Sequence, residues 1–170
     1  MFGKLKTLTD LFAIELRYAY DREQKLAKKG LPSMIENADS PELRRALENH
    51  LEQTRDHVIR LEKVFGALGL EPDTKDNEII DKMSSAANDS VSNIDSSPLR
   101  DCALIVNGNQ VEHYEIALYG SLASFAKQMG LQDLVSPLEQ TLQEEKEADA
   151  ELTRIAETIL NAQAAAQRAA

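Results

Sequence analysis

Acidic residues inside an apolar helical segment are the feature of this sequence that most directly suggests chemistry. The segment runs from Leu104 to Phe125, and its apolar side chains recur at helical spacing. At about 100° per residue, Glu115 falls at the centre of the apolar stripe, and Glu112 falls one turn earlier at its edge. A carboxylate in a core is costly unless it has a partner, a proton or a metal ion. Glu112 alone is more simply explained as an edge side chain that reaches water, but Glu115 is not.

Two other segments also place acids on an apolar helical stripe. Glu23 lies on the stripe near the start of the chain, and Glu145 lies on the stripe near its end, with Asp149 one turn further on. Carboxylates that converge in a medium of low dielectric repel one another, so they must take up protons or share a cation. Two divalent ions bridged by carboxylates would satisfy such a cluster. The pattern therefore predicts a dinuclear metal site.

The segment 41–68 offers histidines rather than inward acids. His50 and His57 both lean towards its inner face, whereas Glu52 points away from it. A neutral imidazole binds iron, manganese or zinc, although each ring could instead be a hydrogen-bonded, partly buried histidine. An oxygen-rich set of ligands favours two iron ions, with manganese as the alternative, over zinc or copper. The predicted metal ligands are Glu23, His50, His57, Glu112, Glu115, Glu145 and Asp149.

Four long amphipathic helices would position these side chains. The predicted helices run from Leu5 to about Lys29, from Pro41 to about Leu68, from Ser97-Pro98 to Gly130, and from between Leu131 and Pro137 to about Ile159. Gly30 and Pro32 predict a break or kink after the first helix, and Ser40 is the predicted N-cap of the second. The polar segment 70–97 predicts a long crossover that contains a short extra helix. This pattern predicts an all-α, four-helix bundle with one crossover, the architecture of ferritin-like proteins.

Composition limits the class of protein and its partners. The chain has 170 residues, a net charge of −10, seven glycines, five prolines and one cysteine. We expect one bundle over residues 1–160, followed by an Ala-rich tail over residues 161–170. The acidic charge argues against nucleic-acid and anionic-membrane partners, and no segment is long and apolar enough to span a membrane. A lone Cys102 excludes an internal disulfide and favours a reducing compartment, so we expect a cytoplasmic protein.

Five segments of the chain resemble the YciE/YciF family. They are Tyr-Asp-Arg-Glu-Gln-Lys-Leu at 20–26, His-Leu-Glu-Gln-Thr at 50–54, Arg-Leu-Glu-Lys-Val-Phe at 60–65, Val-Glu-His-Tyr-Glu-Ile-Ala-Leu-Tyr-Gly at 111–120 and Thr-Leu-Gln-Glu-Glu-Lys-Glu-Ala-Asp at 141–149. The resemblance implies a ferritin-like bundle from a bacterium, usually a homodimer, that is linked to stress responses and carries a rubrerythrin-like dinuclear site. Glu23, Glu112, Glu115, Glu145 and Asp149 match its acidic positions. Position 53, often acidic in the family, is Gln53 here.

Two functions are compatible with these observations. The first is a dinuclear metal protein that reacts with dioxygen or peroxide, or holds iron, under stress. The second is a non-catalytic structural or interaction protein with a vestigial metal site, which the irregular pattern of the second helix favours. Whether the protein is an enzyme stays open. A hydrolase is a third possibility, but the sequence contains no Ser-His-Asp or Cys-His arrangement that would support it. If the acids hold no metal, replacing Glu115 by Gln should stabilise the fold; if they hold metal, the change should lower metal content and stability.

Overall fold

The first long helix begins at Leu8, three residues after the predicted start at Leu5, and a capping box precedes it. The computed structural model describes residues 4–167, and helix α1 spans Leu8–Lys25 within them. Thr7 is the N-cap: its hydroxyl accepts a hydrogen bond from the backbone N–H of Asp10, whose carboxylate accepts one from the N–H of Thr7. This reciprocal pair satisfies two donors that a helix start otherwise leaves open.

The predicted break at Gly30 is a widened helical turn. A π-helical turn at Leu26–Gly30 joins α1 directly to helix α2, which spans Leu31–Asn37. Pro32, the second residue of α2, has no backbone N–H to donate to the preceding turn, and the helix widens into the π turn immediately before it. The chain therefore stays helical from Leu8 to Asn37.

Helices α3 and α4 follow the sequence prediction closely. Helix α3 spans Pro41–Ala67, and the Ser40 hydroxyl caps it by accepting from the N–H of Leu43. Helix α4, the predicted short helix of the crossover, spans Glu78–Ser92.

The second half of the chain contains two long helices that end in different ways. Helix α5 spans Ser97–Gln128 and stops before Gly130, whose φ of 73° is a left-handed conformation that glycine adopts readily. Helix α6 spans Gln132–Ile155 and contains Pro137. A π-helical turn at Ala156–Leu160 then leads into helix α7, Asn161–Ala166. The described part of the predicted tail is thus largely helical, and residues 168–170 of that tail lie outside the described residues.

These helices form the predicted all-α bundle with one crossover. Helix α5 packs along α6, α3 packs against α6, and α1 packs against both α3 and α5. Helix α4 lies on α5 and is tied to α1 by Lys25, whose Nζ lies 2.8 Å from carboxylate oxygens of Asp21, Asp76 and Asp81. Among residues 4–167, no helix is long and apolar enough to cross a membrane.

Two hydrophobic clusters divide the core. The first cluster includes Phe12, Leu16, Leu61, Phe65, Leu122 and Leu138, and the second includes Leu31, Leu43, Leu47, Leu104, Leu152 and Ile155. Along α3, α5 and α6, and along α1 and α2 taken together, Glu23, His57, Glu112, Glu115 and Glu145 fall in sequence between residues of one cluster and residues of the other, and His50 lies beside Leu51 at the end of the second cluster on α3. The bundle therefore holds a polar layer between two apolar layers.

Candidate metal centre

The polar layer contains two groups of side chains with the composition of metal ligands. His50, Glu112, Glu115 and Glu145 form the first group, and Glu23, His57 and Glu145 form the second. Within each group, one potential ligand atom per residue lies within 4.8 Å of all the others. All six residues are buried, with exposed fractions between 0% and 6%. The four bundle helices α1, α3, α5 and α6 each contribute at least one of them.

Glu145 belongs to both groups and lies between the two histidines. Its Oε1 is 3.0 Å from Nδ1 of His57, and its Oε2 is 3.5 Å from Nε2 of His50. The side chain is fully buried, and neither oxygen has a hydrogen-bond partner. A buried carboxylate with two unsatisfied oxygens is costly. If metal ions were bound beside both histidines, Glu145 would be a ligand available to each of them.

The outer nitrogen of His57 is held by a carboxylate on α6. Its Nε2 lies 2.8 Å from Oε2 of Glu144, which also accepts a hydrogen bond from Nη1 of Arg60 at 2.9 Å. An Nε2–H that donates to Glu144 leaves Nδ1 as a free acceptor towards Glu145 and Glu23. A metal-binding histidine commonly donates its other ring N–H to a carboxylate in this way.

His50 has a weaker, neutral partner at its outer nitrogen. Its Nδ1 lies 3.4 Å from Oε1 of Gln53, one turn along α3, and its Nε2 lies 3.4 Å from Oε1 of Glu112. Gln53 is thus an orienting acceptor for His50.

Glu23 and Glu112 each direct one unsatisfied oxygen into the layer. Oε2 of Glu23 and Oε2 of Glu112 are buried without a hydrogen-bond partner. The other oxygen of Glu23 accepts a hydrogen bond of 2.5 Å from the hydroxyl of Tyr119, which is fully buried. Tyr119 therefore occupies one oxygen of Glu23 and leaves the other available to a cation.

A buried arginine neutralises part of this charge. Arg22 is fully buried on α1, and its Nε donates a hydrogen bond of 2.7 Å to Oε1 of Glu115. Its Nη2 lies 3.7 Å from Oε1 of Glu23, and neither Nη1 nor Nη2 has a hydrogen-bond partner. Arg22 thus contacts one acid from each of the two groups.

The acids hold both imidazoles in the charged form when no cation is bound. Burial lowers the pKa of His50, but Glu112 and Glu145 outweigh burial and raise this pKa to about 9. Burial also opposes the charge on His57, yet Glu23 and Glu145 raise its pKa to about 10. Metal ligation requires neutral imidazole, so a metal ion must displace these protons.

The carboxylates respond differently according to their partners. Burial raises the pKa of Glu145 to about 8, with Glu112 adding to the effect and the two histidines opposing it. Burial also raises the pKa of Glu115, against the opposing influence of Arg22. Burial would raise the pKa of Glu23 as well, but His57, Arg22 and Tyr119 lower it to about 2. The metal-free layer therefore favours the protonated form of Glu115 and Glu145 and the ionised form of Glu23.

The donor set fits two metal ions of the iron or manganese type. Four carboxylates and two imidazoles supply mostly oxygen ligands, which suit iron and manganese better than copper or zinc. Five of the donor atoms that face the layer are buried without hydrogen-bond partners: both oxygens of Glu145, Oε2 of Glu23, Oε2 of Glu112 and Nδ1 of His57. Coordination to cations would satisfy each of them. The clusters could therefore hold metal ions.

The structure brings together six of the seven predicted ligands. Asp149 lies outside both groups: its Oδ1 is 3.3 Å from Nε2 of His113 on the exposed side of α5. Its role as a ligand stays a prediction. Glu112, expected from its own position to reach water, is 3% exposed and faces His50.

Sequence reasoning missed Arg22 and Glu144. Each adjoins a predicted ligand, and adjacent helical residues differ by about 100°, so placing one residue inward suggested that its neighbour faces solvent. Arg22 has an available signal: it lies three residues after Ala19, a buried position on the same face. Glu144 likewise lies three residues after a buried position, Thr141, but its partners Arg60 and His57 lie 84 and 87 residues away, and helical spacing does not indicate them.

Comparisons with known proteins identify the family of the chain. Residues 7–165 match the family model described as Domain of unknown function (DUF892). Protein YciF of Escherichia coli strain K12 is 32% identical over 168 residues, which is 94% of this chain and 96% of YciF. The matched region includes every residue of the polar layer.

Solved structures show the same fold. YcfI from Rhodopseudomonas palustris superposes with a TM-score of 0.87 at 37% identity and covers 90% of this chain and 98% of its own. The E. coli stress protein YciF superposes with a TM-score of 0.87 at 32% identity and covers 92% of this chain and 99% of its own. The predicted ferritin-like fold and the resemblance to YciF are both confirmed.

Proposed function

The chain belongs to the DUF892 family and is a homologue of the stress protein YciF, and from this membership and its buried ligand layer we propose that it is a dinuclear metal protein of the bacterial stress response. Iron is the preferred metal, with manganese as the alternative. Its role is to react with dioxygen or peroxide, or to hold iron. The family supports the stress context, and the layer supports the metal.

The position of Glu145 is the observation that carries this proposal. A single buried carboxylate faces a separate imidazole with each of its oxygens, at 3.0 Å from Nδ1 of His57 and 3.5 Å from Nε2 of His50, and no other donor reaches either oxygen. No purely structural role in a bundle core requires that arrangement, because burying an unsatisfied polar atom destabilises a fold by about 1–3 kcal/mol. Two cations, one beside each histidine, would satisfy both oxygens at once.

The side chains of this layer would have two roles, as metal ligands and as groups that orient the ligands. His50, Glu112 and Glu115 would hold one ion, Glu23 and His57 the other, and Glu145 both. Bound iron or manganese would supply one-electron redox chemistry towards dioxygen or peroxide. Glu144 and Gln53 fix the orientation of the two imidazoles, and Tyr119 fixes Glu23. The flanking apolar clusters keep bulk water away from the layer.

Metal analysis of Glu145→Gln tests the proposal. The protein is purified without chelators, loaded anaerobically with ferrous iron or with Mn²⁺, and measured by elemental analysis. The native chain is expected to hold two ions, and Glu145→Gln is expected to lose most of both. Glu147→Gln, on the exposed side of the same helix, is the matched control and should keep both ions. Fewer than one ion per two native chains would overturn the proposal.

The pairing of Arg22 with Glu115 favours a second candidate function, a structural or interaction protein with a vestigial site. Arg22 and two protonated histidines can neutralise most of the buried acids without any metal. The same metal analysis separates the two functions, because this one predicts no bound ion in either the native chain or the variants.

We also propose that the protein is a cytoplasmic homodimer. The family resemblance supports the dimer, and the single cysteine supports a reducing compartment.

A further inference from the structure

We infer that Arg22 is a built-in counter-cation of the dinuclear site that selectively weakens binding of the second metal ion. This inference rests on the proposed function, since it concerns how the layer divides its charge between two ions. Arg22 would leave the first ion tightly bound and make the second one exchangeable. It is a positioning residue, since it acts through the ligands Glu115 and Glu23.

The location of Arg22 connects it to both metal positions. Its guanidinium donates to Glu115, which belongs to the group around His50, and lies 3.7 Å from Glu23, which belongs to the group around His57. The side chain is fully buried, so solvent does not screen its charge. Any cation held by Glu115 or Glu23 therefore shares its ligand with a resident positive charge.

The two metal positions are not equally close to Arg22. Its Nε donates a 2.7 Å hydrogen bond to Glu115 of the His50 group, whereas its Nη2 lies 3.7 Å from Glu23 of the His57 group without a hydrogen bond. An ion at the His50 position must therefore compete with Arg22 for its ligand, so it is the second ion to bind.

The charge of the layer acts together with this geometry. In the form that binds metal, both imidazoles are neutral and the four carboxylates are ionised, so the acids carry four negative charges and Arg22 cancels one of them. The first divalent ion enters a site with three net negative charges and leaves one. The second ion enters a site with one net negative charge and leaves it positive. Without Arg22, two divalent ions would bring the same four acids to neutrality.

The guanidinium also restricts the ligands themselves. Arg22 occupies Oε1 of Glu115, and Tyr119 occupies Oε1 of Glu23. In Glu145, by contrast, both oxygens are free of hydrogen bonds. Glu145 therefore keeps both oxygens open to cations, and an ion beside either histidine would share it.

A series of substitutions at Arg22 tests the inference through stepwise binding constants. Mn²⁺ binding to the full-length chain is measured by equilibrium dialysis with elemental analysis, and occupancy by one or two ions is distinguished by electron paramagnetic resonance. In the native protein, the second ion should bind at least tenfold more weakly than the first. Arg22→Met removes the charge and should reduce the ratio of the two dissociation constants at least tenfold. Arg22→Lys keeps the charge and should preserve the ratio.

Two controls keep the result independent of folding. Arg17→Met removes another arginine from α1 whose partner, Asp73, is distant from the layer, and it should leave both constants unchanged. If Arg22→Met does not fold, Arg22→Gln supplies a neutral side chain that can still donate a hydrogen bond to Glu115. Circular dichroism confirms the helical content of each variant.

The possible outcomes separate this inference from the proposed function. If neutral variants weaken both ions in equal proportion, or leave the ratio unchanged while the native chain binds two ions, Arg22 is a structural residue and the inference is wrong. If the native chain binds no ion, the proposed function itself is wrong. A reduced ratio in the neutral variants, restored by Lys, supports the inference.

Discussion

At the scale of single residues, the hydrogen bond between His57 and Glu144 connects the buried layer to the edge of the bundle. The imidazole is fully buried, whereas Glu144 is partly exposed and is fixed by Arg60 and Gln140. Orientation of a ligand by such a neighbour typically contributes 10- to 100-fold to metal affinity. The contribution of Glu144 can be measured because its side chain offers no ligand to the layer.

Glu144→Ala should therefore weaken the ion at the His57 position by about 10- to 100-fold. The ion at the His50 position should be affected much less, since Gln53 orients that ring. Equilibrium dialysis with Mn²⁺ measures both constants, and Glu147→Ala on the same helix provides the control. Equal loss at both positions, or no loss, would contradict this role for Glu144.

Protonation of the layer should make the metal-free protein less stable as pH rises. The folded-state pKa values of His50 and His57, about 9 and 10, lie above the ordinary value of 6.5, so the folded state binds protons more strongly between these limits. That stabilisation is complete below pH 6.5 and is lost as pH rises through the folded-state values. Glu145, whose pKa is raised from 4.5 to about 8, acts in the same direction.

The melting temperature of the metal-free protein should thus fall by roughly 5 °C or more between pH 6.5 and pH 9. The metal-loaded protein should show a smaller fall, because bound ions have already displaced these protons. Differential scanning calorimetry of both forms checks the difference. Parallel profiles for the two forms would be inconsistent with metal bound at the histidines.

Arg22 also changes the expected effect of replacing Glu115. From the sequence, Glu115→Gln should stabilise a metal-free fold by removing buried repulsion. In the structure this change also leaves Arg22 buried without its principal partner, and an unpaired buried charge destabilises by about 3–5 kcal/mol. Glu115 was identified from its position on one helical stripe, but its partner comes from another helix, and helical periodicity carries no information about that pairing.

At the scale of elements, the start of α3 depends on a carboxylate from α5. Asp101 is 2% exposed, and its two oxygens accept hydrogen bonds from the backbone N–H groups of Asp39 at 2.9 Å and Ser40 at 2.8 Å. These bonds fix the segment between α2 and α3, and hence the axial position of His50 and His57 on α3.

Asp101→Ala should destabilise the protein by about 1–3 kcal/mol, because two partly buried backbone donors lose their acceptors. Denaturant unfolding followed by circular dichroism measures this change in the free energy of unfolding. Asp89→Ala, at an exposed position of α4, should shift it by less than about 0.5 kcal/mol. A similar small effect at both positions would show that Asp101 does not anchor α3.

The predicted elements agree with the structure wherever local chemistry determines them. Ser40 before Pro41 fixes the start of α3, and Gly130 marks the end of α5, because caps depend on adjacent residues. The π-helical turns at Leu26–Gly30 and Ala156–Leu160 were not predicted. Gly30 resembles a helix terminator in sequence, but packing of the residues on both sides of it keeps the chain helical.

At the scale of the whole molecule, metal binding should stabilise the bundle, because the ligands come from all four long helices. Ligand at 100 times its dissociation constant stabilises a fold by about 2.7 kcal/mol, which corresponds to a rise in melting temperature of roughly 5–10 °C. Treatment with a chelator should reverse the rise in the native protein. In Glu145→Gln, neither loading nor chelation should move the melting temperature appreciably.

The proposed homodimer is tested by sedimentation equilibrium of the full-length chain. A mass of twice that of one chain, independent of metal content, is expected. A monomer at micromolar concentration would contradict it. The dimer surface could not be derived from the sequence, because apolar residues exposed on a monomer, such as Val106 and Leu99 on α5, occur singly on most proteins.

The closed environment of Glu23, His57 and Glu145 has a kinetic consequence. All three side chains have no exposed surface, so an ion can enter or leave only when neighbouring helices separate transiently. Exchange of radioactive ⁵⁴Mn for bound manganese would then proceed at the rate of this transient helix separation rather than at a diffusion-limited rate. The measured exchange rate would therefore report how often the bundle opens.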